Sequence, residues 1–495
     1  MTAVGADTTE LREAVTVQGV RQHQAAFQAF ADANGGTREA SSPGYFASVN
    51  YVAQQMSAAG YTVAIQPFEY PFFEELTAAV LEQLSPAPTV YPYFDVTGFV
   101  TMTYSGSGDV TGTAQGVDLI IPAAATANTS TSGCEASDFD DFQVGNIAII
   151  QRGTCSFAQK AENAANAGAI GVVIFNEGQD GRTDAFLGTL GSPDFDIPIV
   201  AASYAVGVEL ATVTLDENDD PIPVEVRMFV DAVSENRLSA NVIAESEQGR
   251  DDRVVVVGAH LDSVDEGPGI QDNGSGSAAI LEVALQMAEL EIEPVNKLRF
   301  AWWGAEEAGL LGAEYYVSQL GKRDIKDIAL NLNFDMIGSP NFVRFVYDGD
   351  GDATGTAGPN GSGNIEGVFL NYFASQNLPV EPTAFDGRSD YGPFIAVGIP
   401  AGGLFTGAEG IKTEEEVAIY GGTAGEQYDP CYHLTCDTFD NISLEALDQM
   451  SDAVAHAVQV FSQTTSSVNG TDKASSKAKV ATAESLLYRG SKLRK

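Results

Sequence analysis

The chain has 495 residues, and its 68 Asp and Glu residues against 25 Lys and Arg residues give a formal net charge of −43 at pH 7. Such an acidic surface repels nucleic acid and anionic lipid, so we expect neither as a partner. No apolar run reaches the roughly 18 residues of a membrane span. Hydrophobic residues, at 44%, are nevertheless numerous enough to build large cores.

The N-terminal segment, from about residue 9 to residue 60, has the pattern of helices. Val49, Val52 and Met56 fall on one apolar face, and Gly60 is a natural end for a helix. The sequence TVAIQPFEY, which follows, predicts a strand.

The segment from about residue 86 to residue 232 has a different composition, rich in Val, Ile, Thr and Gly. Two short predicted strands, NIAIIQRG and GVVIFN, flank the Ala-rich sequence CSFAQKAENAANAGA, which predicts a helix. We therefore expect this segment to fold as a compact, separate module.

After about residue 235 strands and helices alternate. The strands are DRVVVVGAH, KLRFAWWG and KDIALNLNFDMIG, and the helices between them are SGSAAILEVALQMAEL and AGLLGAEYYVSQLG. This order predicts an α/β fold with a mostly parallel, mixed sheet flanked by helices on both faces. In such folds, sites form outside the carboxyl ends of the strands.

These patterns divide the chain into four parts. We expect an N-terminal part at 1–95, an inserted module at 96–234, the α/β domain at 235–465 and a C-terminal tail at 466–495. The tail is basic and poor in large apolar residues, which predicts disorder. Contact with the acidic body of the protein and removal by processing are the alternatives.

Six side chains that can bind metal or move a proton lie near the predicted strand ends or in a short loop between two cysteines. They are His260, Asp272, Glu306, Glu307, Asp335 and His433. Imidazole and carboxylate together suit zinc. Two histidines cannot complete two metal sites, so carboxylates must complete them and one must bridge. The spacing does not decide which adjacent glutamate binds metal. The remaining histidines, His23 and His456, lie in no such motif, and His456 is expected on a helix.

The four cysteines form two local pairs, Cys134 with Cys155 and Cys431 with Cys436. Their even number and close spacing predict two disulfides and an oxidising compartment, the alternative being four buried thiols. This compartment implies a secreted or vacuolar-lumen protein. Because the first residues, MTAVGADTTELREAV, lack the features of a signal peptide, we expect that a leader has been removed. Glycosylation sequons lie at Asn128, Asn360, Asn441 and Asn469, and a further one at Asn273 lies inside the metal motif.

The ordered motifs GAHLDSV, QDNGSG, AWWGAEEAGLLG, NFDMIGSP and CYHLTC resemble those of the co-catalytic di-zinc aminopeptidases. That family includes secreted bacterial leucine aminopeptidases and yeast vacuolar aminopeptidase Y. The resemblance covers roughly residues 236–465 and implies the zinc exopeptidase fold. The insert, from CEASDFDDFQVGN to IPIVAAS, resembles the mainly-β protease-associated domain. It implies substrate gating or partner binding, with a purely structural insert as the alternative.

The resemblance also implies a role for each metal-binding residue. His260 and Asp335 would hold one zinc ion, Glu307 and His433 the other, and Asp272 would bridge the two. Two ions per chain are therefore expected.

The same resemblance implies the groups that act on substrate. Glu306 would be the general base and acid, Tyr432 would stabilise the oxyanion, and Arg388, in FDGRSDYGPF, would contact substrate. We expect peptides with a free N-terminus as substrates, because carboxylates near the metals would hold the α-amine. An apolar N-terminal residue such as Leu is the first expectation and Lys the second, for a monomeric enzyme.

The acidic run Asp348–Asp352 is similar to the start of an EF-hand calcium loop. Its sixth and twelfth positions are Ala353 and Pro359, where an EF-hand needs Gly and a bidentate Glu. We therefore expect an acidic loop with at most weak calcium binding.

Three alternatives stay open at this point. A related metallopeptidase could act as a carboxypeptidase or dipeptidase, a glutaminyl cyclase could use one zinc ion, and a receptor ectodomain could share the fold without catalysis. The CYHLTC loop and the protease-associated insert favour the aminopeptidase. All five ligand positions and Glu306 are present, which argues against a non-catalytic receptor.

Overall fold

The computed structural model describes residues 7–212, 214–215, 218 and 220–470. Its contacts divide the chain into two compact units. Unit 1 is formed by both ends of the chain, up to Phe68 and from Leu238 onward, and unit 2 is Glu69–Arg237. Unit 2 contains all of residues 96–234, for which the sequence predicts an inserted module, and those narrower limits stay a prediction.

The strands and helices are as follows. The strands are β1 (Thr62–Ser85), β2 (Thr89–Val90), β3 (Phe99–Thr101), β4 (Gly108–Val117), β5 (Ile147–Gln151), β6 (Gly171–Phe175), β7 (Ile199–Ala202), β8 (Thr214–Leu215), β9 (Pro221–Ile222), β10 (Glu225–Glu245), β11 (Arg250–His260), β12 (Asn296–Trp303), β13 (Ile328–Phe334), β14 (Phe345–Tyr347), β15 (Glu381–Thr383) and β16 (Ala401–Phe405). The helices are α1 (Thr9–Ala14), α2 (Val17–Asp32), α3 (Pro43–Ala58), α4 (Phe157–Asn166), α5 (Tyr204–Ala211), α6 (Gly274–Glu289), α7 (Leu311–Ser318), α8 (Lys322–Asp327), α9 (Ser362–Ser375), α10 (Tyr391–Ala396), α11 (Glu414–Tyr420), α12 (Leu444–Gln463) and α13 (Ser466–Asn469).

Unit 1 contains a mixed, mostly parallel sheet with the strand order β15, β14, β16, β13, β11, β12, β10. β11 runs parallel to both of its neighbours, and β13 runs parallel to β16. β10 lies antiparallel to β12, and β14 lies antiparallel to β16. The predicted fold class is thereby confirmed, and so are the predicted helices and strands of this unit.

The valine run of β11 explains why helices cover both faces of this sheet. Side chains alternate along a strand. Val255 and Val257 therefore join the core formed with α2, α3, α6 and α12. Val254 and Val256 face the opposite way, into a core with Trp303 and with residues of α7 and α10. A strand buried on both faces reads as a continuous apolar run, as it does here.

In unit 2, β4, β5, β6 and β7 run parallel to one another and β3 is antiparallel to β7. The alternation of β5 sends Ile147 and Ile149 into one core and Ala148 and Ile150 into another. Helix α4 follows β5, as the sequence predicts, and its N-terminus is capped by Ser156.

The first residues of the predicted C-terminal tail are ordered. Disorder was predicted from residue 466, but residues 466–469 form α13. Val468 is buried there, and the side-chain amide of Asn469 donates to the carbonyl of Ala329 at 2.8 Å. Residues 471–495 lie outside the described residues. None of the helices in the described ranges combines the length and apolar character that a membrane span requires.

Candidate metal centre

The predicted ligands come together because three neighbouring strands end at the same edge. β11 ends at His260, β12 ends at Trp303 shortly before Glu306, and β13 ends one residue before Asp335. These strands are adjacent and parallel in the order β13, β11, β12, so their carboxyl ends lie side by side. Asp272 lies two residues before the start of α6.

The first group of ligand atoms surrounds the His260 ring. Its Nε2 lies 3.1 Å from Oδ1 of Asp335 and 3.2 Å from Oδ1 of Asp272. All three residues are buried, with His260 only 1% exposed. Ser389 Oγ donates to the other Asp335 oxygen at 2.6 Å, which fixes the orientation of that carboxylate.

The second group surrounds the His433 ring. Its Nε2 lies 3.1 Å from Oε2 of Glu307 and 3.2 Å from Oδ2 of Asp272. Asp272 therefore presents one oxygen to each group, which is the geometry of a bridging carboxylate.

Both groups suit zinc. Each brings one imidazole nitrogen and two carboxylate oxygens within 4.8 Å of one another. Zinc binds nitrogen and oxygen donors of this kind and keeps an open position for catalysis. The second oxygen of Glu307 is buried and has no hydrogen-bond partner among the described residues, which fits a position reserved for a cation.

The charges of this cluster depend on one another. Burial opposes protonation of both rings, but the carboxylates of Glu307 and Asp272 raise the pKa of His433 to about 11. Asp335 and Glu306 raise the pKa of His260 above its usual range against the same opposition. A site that stabilises positive charge so strongly is one that attracts metal cations.

Glu306 lies beside the two groups and forms a third set of candidate ligand atoms with His260 and Glu307. One of its carboxylate oxygens is within 4.8 Å of the His260 ring nitrogen and of a Glu307 oxygen. Burial, reinforced by the nearby Asp390 and Asp335 carboxylates against the opposing charge of His260, raises the pKa of Glu306 well above its usual value. Such a carboxyl group can exchange a proton near neutral pH.

Asp262 is a residue of this site that the sequence reasoning missed. Its carboxylate accepts the backbone N–H of Glu306 at 3.2 Å and that of Glu307 at 3.3 Å. It also lies 3.6 Å from Nδ1 of His260, and metal-binding histidines are commonly oriented by such a carboxylate. The sequence did contain a signal for Asp262, because it follows His260 by two residues, and residues two apart in an extended chain share a face.

The loop between Cys431 and Cys436 is closed by a disulfide, and the second predicted pair, Cys134 and Cys155, is bonded as well. Within the short loop, the Tyr432 ring stacks on the His433 ring with centroids 3.8 Å apart. The loop therefore presents a proposed ligand and a phenol hydroxyl together.

Arg388 joins this loop from the side. Its Nη2 donates to the Tyr432 hydroxyl at 3.2 Å, and its Nη1 lies 2.6 Å from a carboxylate oxygen of Glu409. A guanidinium has donors only, so the Tyr432 oxygen accepts and its own O–H is left to donate elsewhere.

Asn273 and Arg38 were also missed, and both hold the loops that carry the ligands. The Asn273 side chain caps α6 through Gly276 and also accepts the N–H of Met336, next to Asp335. Arg38 is completely buried and donates to the carbonyls of Leu261, Pro268 and Gly269. Asn273 is itself completely buried, which leaves no room for a glycan.

The other motifs lie outside the centre. His23 contacts Tyr51 and Glu282, and His456 contacts Thr8, so neither belongs to the two groups. Asp348 turns its carboxylate toward its own loop, where it accepts backbone N–H groups of residues 351, 353 and 354.

Comparisons with known proteins identify two family models that match parts of the chain. Residues 241–458 match the model of peptidase family M28, and residues 118–210 match that of the PA domain. An aminopeptidase from Pseudomonas aeruginosa is 49% identical over 441 residues, which span 89% of this chain and 80% of that protein. Leucine aminopeptidase 2 from Trichophyton equinum is 46% identical over 333 residues, which span 67% of this chain and 65% of that protein.

Solved structures show the same fold. An aminopeptidase from Aneurinibacillus sp. strain AM-1 superposes with a TM-score of 0.60 at 27% identity, over 91% of this chain and 95% of that chain. A zinc aminopeptidase from Bacillus subtilis gives a TM-score of 0.53 at 23% identity, over 90% of this chain and 94% of that chain.

Proposed function

The chain belongs to peptidase family M28, with an inserted PA domain, and is an aminopeptidase; we propose that it works with two zinc ions and releases apolar N-terminal residues such as Leu. The observation that carries the two-ion proposal is the carboxylate of Asp272. Its two oxygens lie 3.2 Å from two different histidine rings, His260 and His433. A carboxylate placed in this way can serve two ions, one through each oxygen.

Five residues are assigned to the two ions, two to each ion and one that both share. His260 and Asp335 hold one ion, Glu307 and His433 hold the other, and Asp272 bridges. Bound zinc supplies a Lewis acid for the scissile carbonyl and lowers the pKa of water at the site.

Glu306 is proposed as the group that moves the proton. Its carboxylate takes a proton from the attacking water and returns it to the nitrogen of the leaving amine. Its backbone is held by Asp262, and its side chain is only 9% exposed, so bulk water is kept from the carboxylate.

Tyr432 is proposed to stabilise the charge that develops on the carbonyl oxygen. Its oxygen is occupied by the Arg388 guanidinium, which directs the phenol O–H away from Arg388 and leaves it free to donate to substrate. Arg388 can contact the substrate as well, because its side chain is 38% exposed.

Selection of a free N-terminus follows from the surplus of carboxylates. The α-ammonium of a peptide is a cation, and a centre with this many carboxylates attracts it. An internal peptide nitrogen carries no charge and gains nothing there, so the action is confined to the end of the chain. The Leu preference is supported by the relatives that are named leucine aminopeptidase 2, with Lys as the second candidate.

The cellular location is proposed from the disulfide bonds. Two disulfides support a secreted enzyme, which we take to act as a monomer without membrane or nucleic-acid partners. If the protein is glycosylated, the exposed sequons Asn128 and Asn360 are the sites. The side-chain amides of Asn441 and Asn469 already donate hydrogen bonds within the fold.

The acidic loop is kept as a minor proposal. Asp348, Asp350 and Asp352 bring three carboxylates together, which supports weak calcium binding. Because Asp348 already accepts three backbone N–H groups of its own loop, we assign that residue mainly to holding the turn.

A panel of aminoacyl-p-nitroanilides, assayed with and without a chelator, tests the function. We expect Leu-p-nitroanilide to be cleaved, N-acetyl-Leu-p-nitroanilide to resist, and chelation to abolish activity until zinc is added back. Full activity in metal-stripped protein would refute the zinc proposal. Cleavage of the acetylated substrate at the same rate would refute the requirement for a free amine.

A further inference from the structure

Asp437 is a buried carboxylate, 2% exposed, that follows Cys436 and belongs to neither group of proposed ligands. Its side chain accepts the N–H of Gln271 at 2.8 Å and the N–H of Asp272 at 3.0 Å. Its main-chain carbonyl accepts the N–H of Ile270 at 3.1 Å. Three successive amides of the loop that carries the bridging carboxylate thus end on one residue.

We propose that Asp437 is a positioning residue, which holds Asp272 where its two oxygens can reach both metals. This inference rests on the proposed two-zinc function. Bridging makes an unusual demand on the backbone, because Oδ1 must face His260 while Oδ2 faces His433. Any shift of the loop disturbs both contacts at once.

The carbonyl groups of the same loop are held from the other side. Arg38 donates to the carbonyl of Pro268 at 2.8 Å and to that of Gly269 at 2.6 Å. The amides of residues 270–272 are held by Asp437, so a loop without regular secondary structure has both kinds of backbone group satisfied. This arrangement fixes the loop before any metal binds.

Asp437 also connects the loop of Asp272 to the loop of His433. Its own N–H donates to the carbonyl of Leu434, inside the disulfide loop. The Asn441 amide donates to Asp437 at 3.1 Å and to Asp429 at 3.0 Å. Asp429 in turn accepts the N–H of Cys431 at 2.9 Å. Both ends of the disulfide loop are therefore joined to the residue that holds the bridging ligand.

The Asp437→Asn variant removes this function with little change of shape. An amide has one accepting oxygen where the carboxylate has two, so one of the two backbone N–H groups then faces an N–H₂ group. Substitution of a residue that orients a metal ligand typically lowers metal affinity about 10- to 100-fold. We expect zinc affinity to fall by about that factor, with a smaller fall for Asn441→Ala, which leaves the Asp437 carboxylate in place.

The experiment uses the full-length zinc-loaded protein. Zinc content of the unmodified protein is measured first, and transfer of zinc to a chromophoric chelator is then compared among the variants. Asp440→Asn is the matched control, because Asp440 is an exposed aspartate of the same segment and should leave zinc transfer unchanged. The urea unfolding midpoint of the metal-free variants separates loss of positioning from general loss of stability.

The outcomes are distinct. Fewer than two zinc ions in the unmodified protein would refute the two-zinc function itself. Two ions there, with zinc transfer from Asp437→Asn equal to that from Asp440→Asn, would overturn the positioning role alone. If Asp437→Asn does not fold, the Asn441→Ala variant decides. Faster zinc transfer from Asn441→Ala, with an unchanged urea unfolding midpoint of its metal-free form, supports the proposal. Unchanged zinc transfer from Asn441→Ala overturns it.

Discussion

The carboxylate of Asp262 accepts the backbone N–H of Glu306 at 3.2 Å, and through this contact the two adjacent glutamates share one anchor. The neighbouring N–H, that of Glu307, is bound to the same carboxylate at 3.3 Å. Their side chains nevertheless diverge. Glu307 lies 3.1 Å from the His433 ring, whereas Glu306 forms no such ion pair within the described part of the chain. A shared backbone anchor with divergent side chains suits one ligand beside one base.

Substituting each glutamate in turn tests this division. Glu306→Gln should keep both zinc ions, because it removes a base and no ligand, and its turnover should fall about 100-fold or more. Glu307→Gln should lose zinc, because an amide oxygen is a neutral and poorer ligand for a dication. Zinc per chain and turnover number, measured on the same preparations, distinguish the two. Loss of zinc in Glu306→Gln with retention in Glu307→Gln would reverse the assignment.

Removal of the Tyr432 hydroxyl should slow turnover without removing metal. Loss of one oxyanion donor typically costs about 100- to 1000-fold in kcat. We expect Tyr432→Phe to show a fall of that size with zinc content and KM little changed, since the ring that stacks on His433 is kept. Tyr428→Phe is the control, because that hydroxyl donates to Glu416 instead. Equal kcat in Tyr432→Phe and Tyr428→Phe would remove Tyr432 from the mechanism.

The two disulfides should differ in their effect on metal. From loop length alone, losing the Cys431–Cys436 bridge, with a separation of 5 residues, costs about 2 kcal/mol, and losing Cys134–Cys155, with a separation of 21, costs about 3 kcal/mol. Only the first bridge closes the loop that presents His433. We therefore expect the Ser variants of the first pair to bind zinc more weakly.

The Ser variants of Cys134 and Cys155 serve as the control for that experiment. They should lose at least as much stability in urea while zinc affinity stays unchanged. If both pairs of variants bind zinc equally well, the short disulfide has no part in holding the ligand. Mass mapping of the unreduced protein checks beforehand that both bridges are formed.

The proposed ligands could be found from the sequence because they follow patterns that are local. A buried run such as that of β11 predicts a strand, and a polar residue at its end, His260, marks the edge where sites form. Asp437 and Arg38 could not be found in this way. Their contacts join segments far apart in the chain. A carboxylate that accepts backbone N–H groups produces no periodic pattern in the sequence.

The first residues of the predicted tail, 466–470, show a limit of composition as a guide. The composition of the tail predicted disorder from residue 466, but Val468 is buried, the Asn469 side-chain amide donates to the carbonyl of Ala329, and Arg253 donates to the carbonyl of Gly470. Composition averages over a segment and does not register one well-placed contact. The order of Glu306 and Glu307 likewise came from the family resemblance, since spacing alone is the same for either assignment.

His456 provides a prediction about stability that is independent of the metal centre. It lies on α12, its Nδ1 is 2.8 Å from the Thr8 hydroxyl, and its ring stacks on Tyr372 with centroids 4.8 Å apart. Burial, with a smaller contribution from the charge of Arg12, lowers the pKa of His456 to about 4 from its usual 6.5. The folded protein therefore resists protonation of this ring, and the unfolded chain does not.

The sign of the effect follows from proton uptake. Below pH 6.5 the unfolded state binds a proton that the folded state refuses, so the contribution of His456 is fully present above pH 6.5 and is lost as the pH falls toward 4. At pH 5 the loss is about 2 kcal/mol. The test compares the free energy of unfolding in urea at pH 7.5 with that at pH 5. The decrease between these two pH values should be about 2 kcal/mol smaller in His456→Gln than in the unmodified protein. Gln459→Ala, on the same helix and without a titrating group, should retain the full decrease. If His456→Gln retains it as well, the ring is not a source of acid sensitivity.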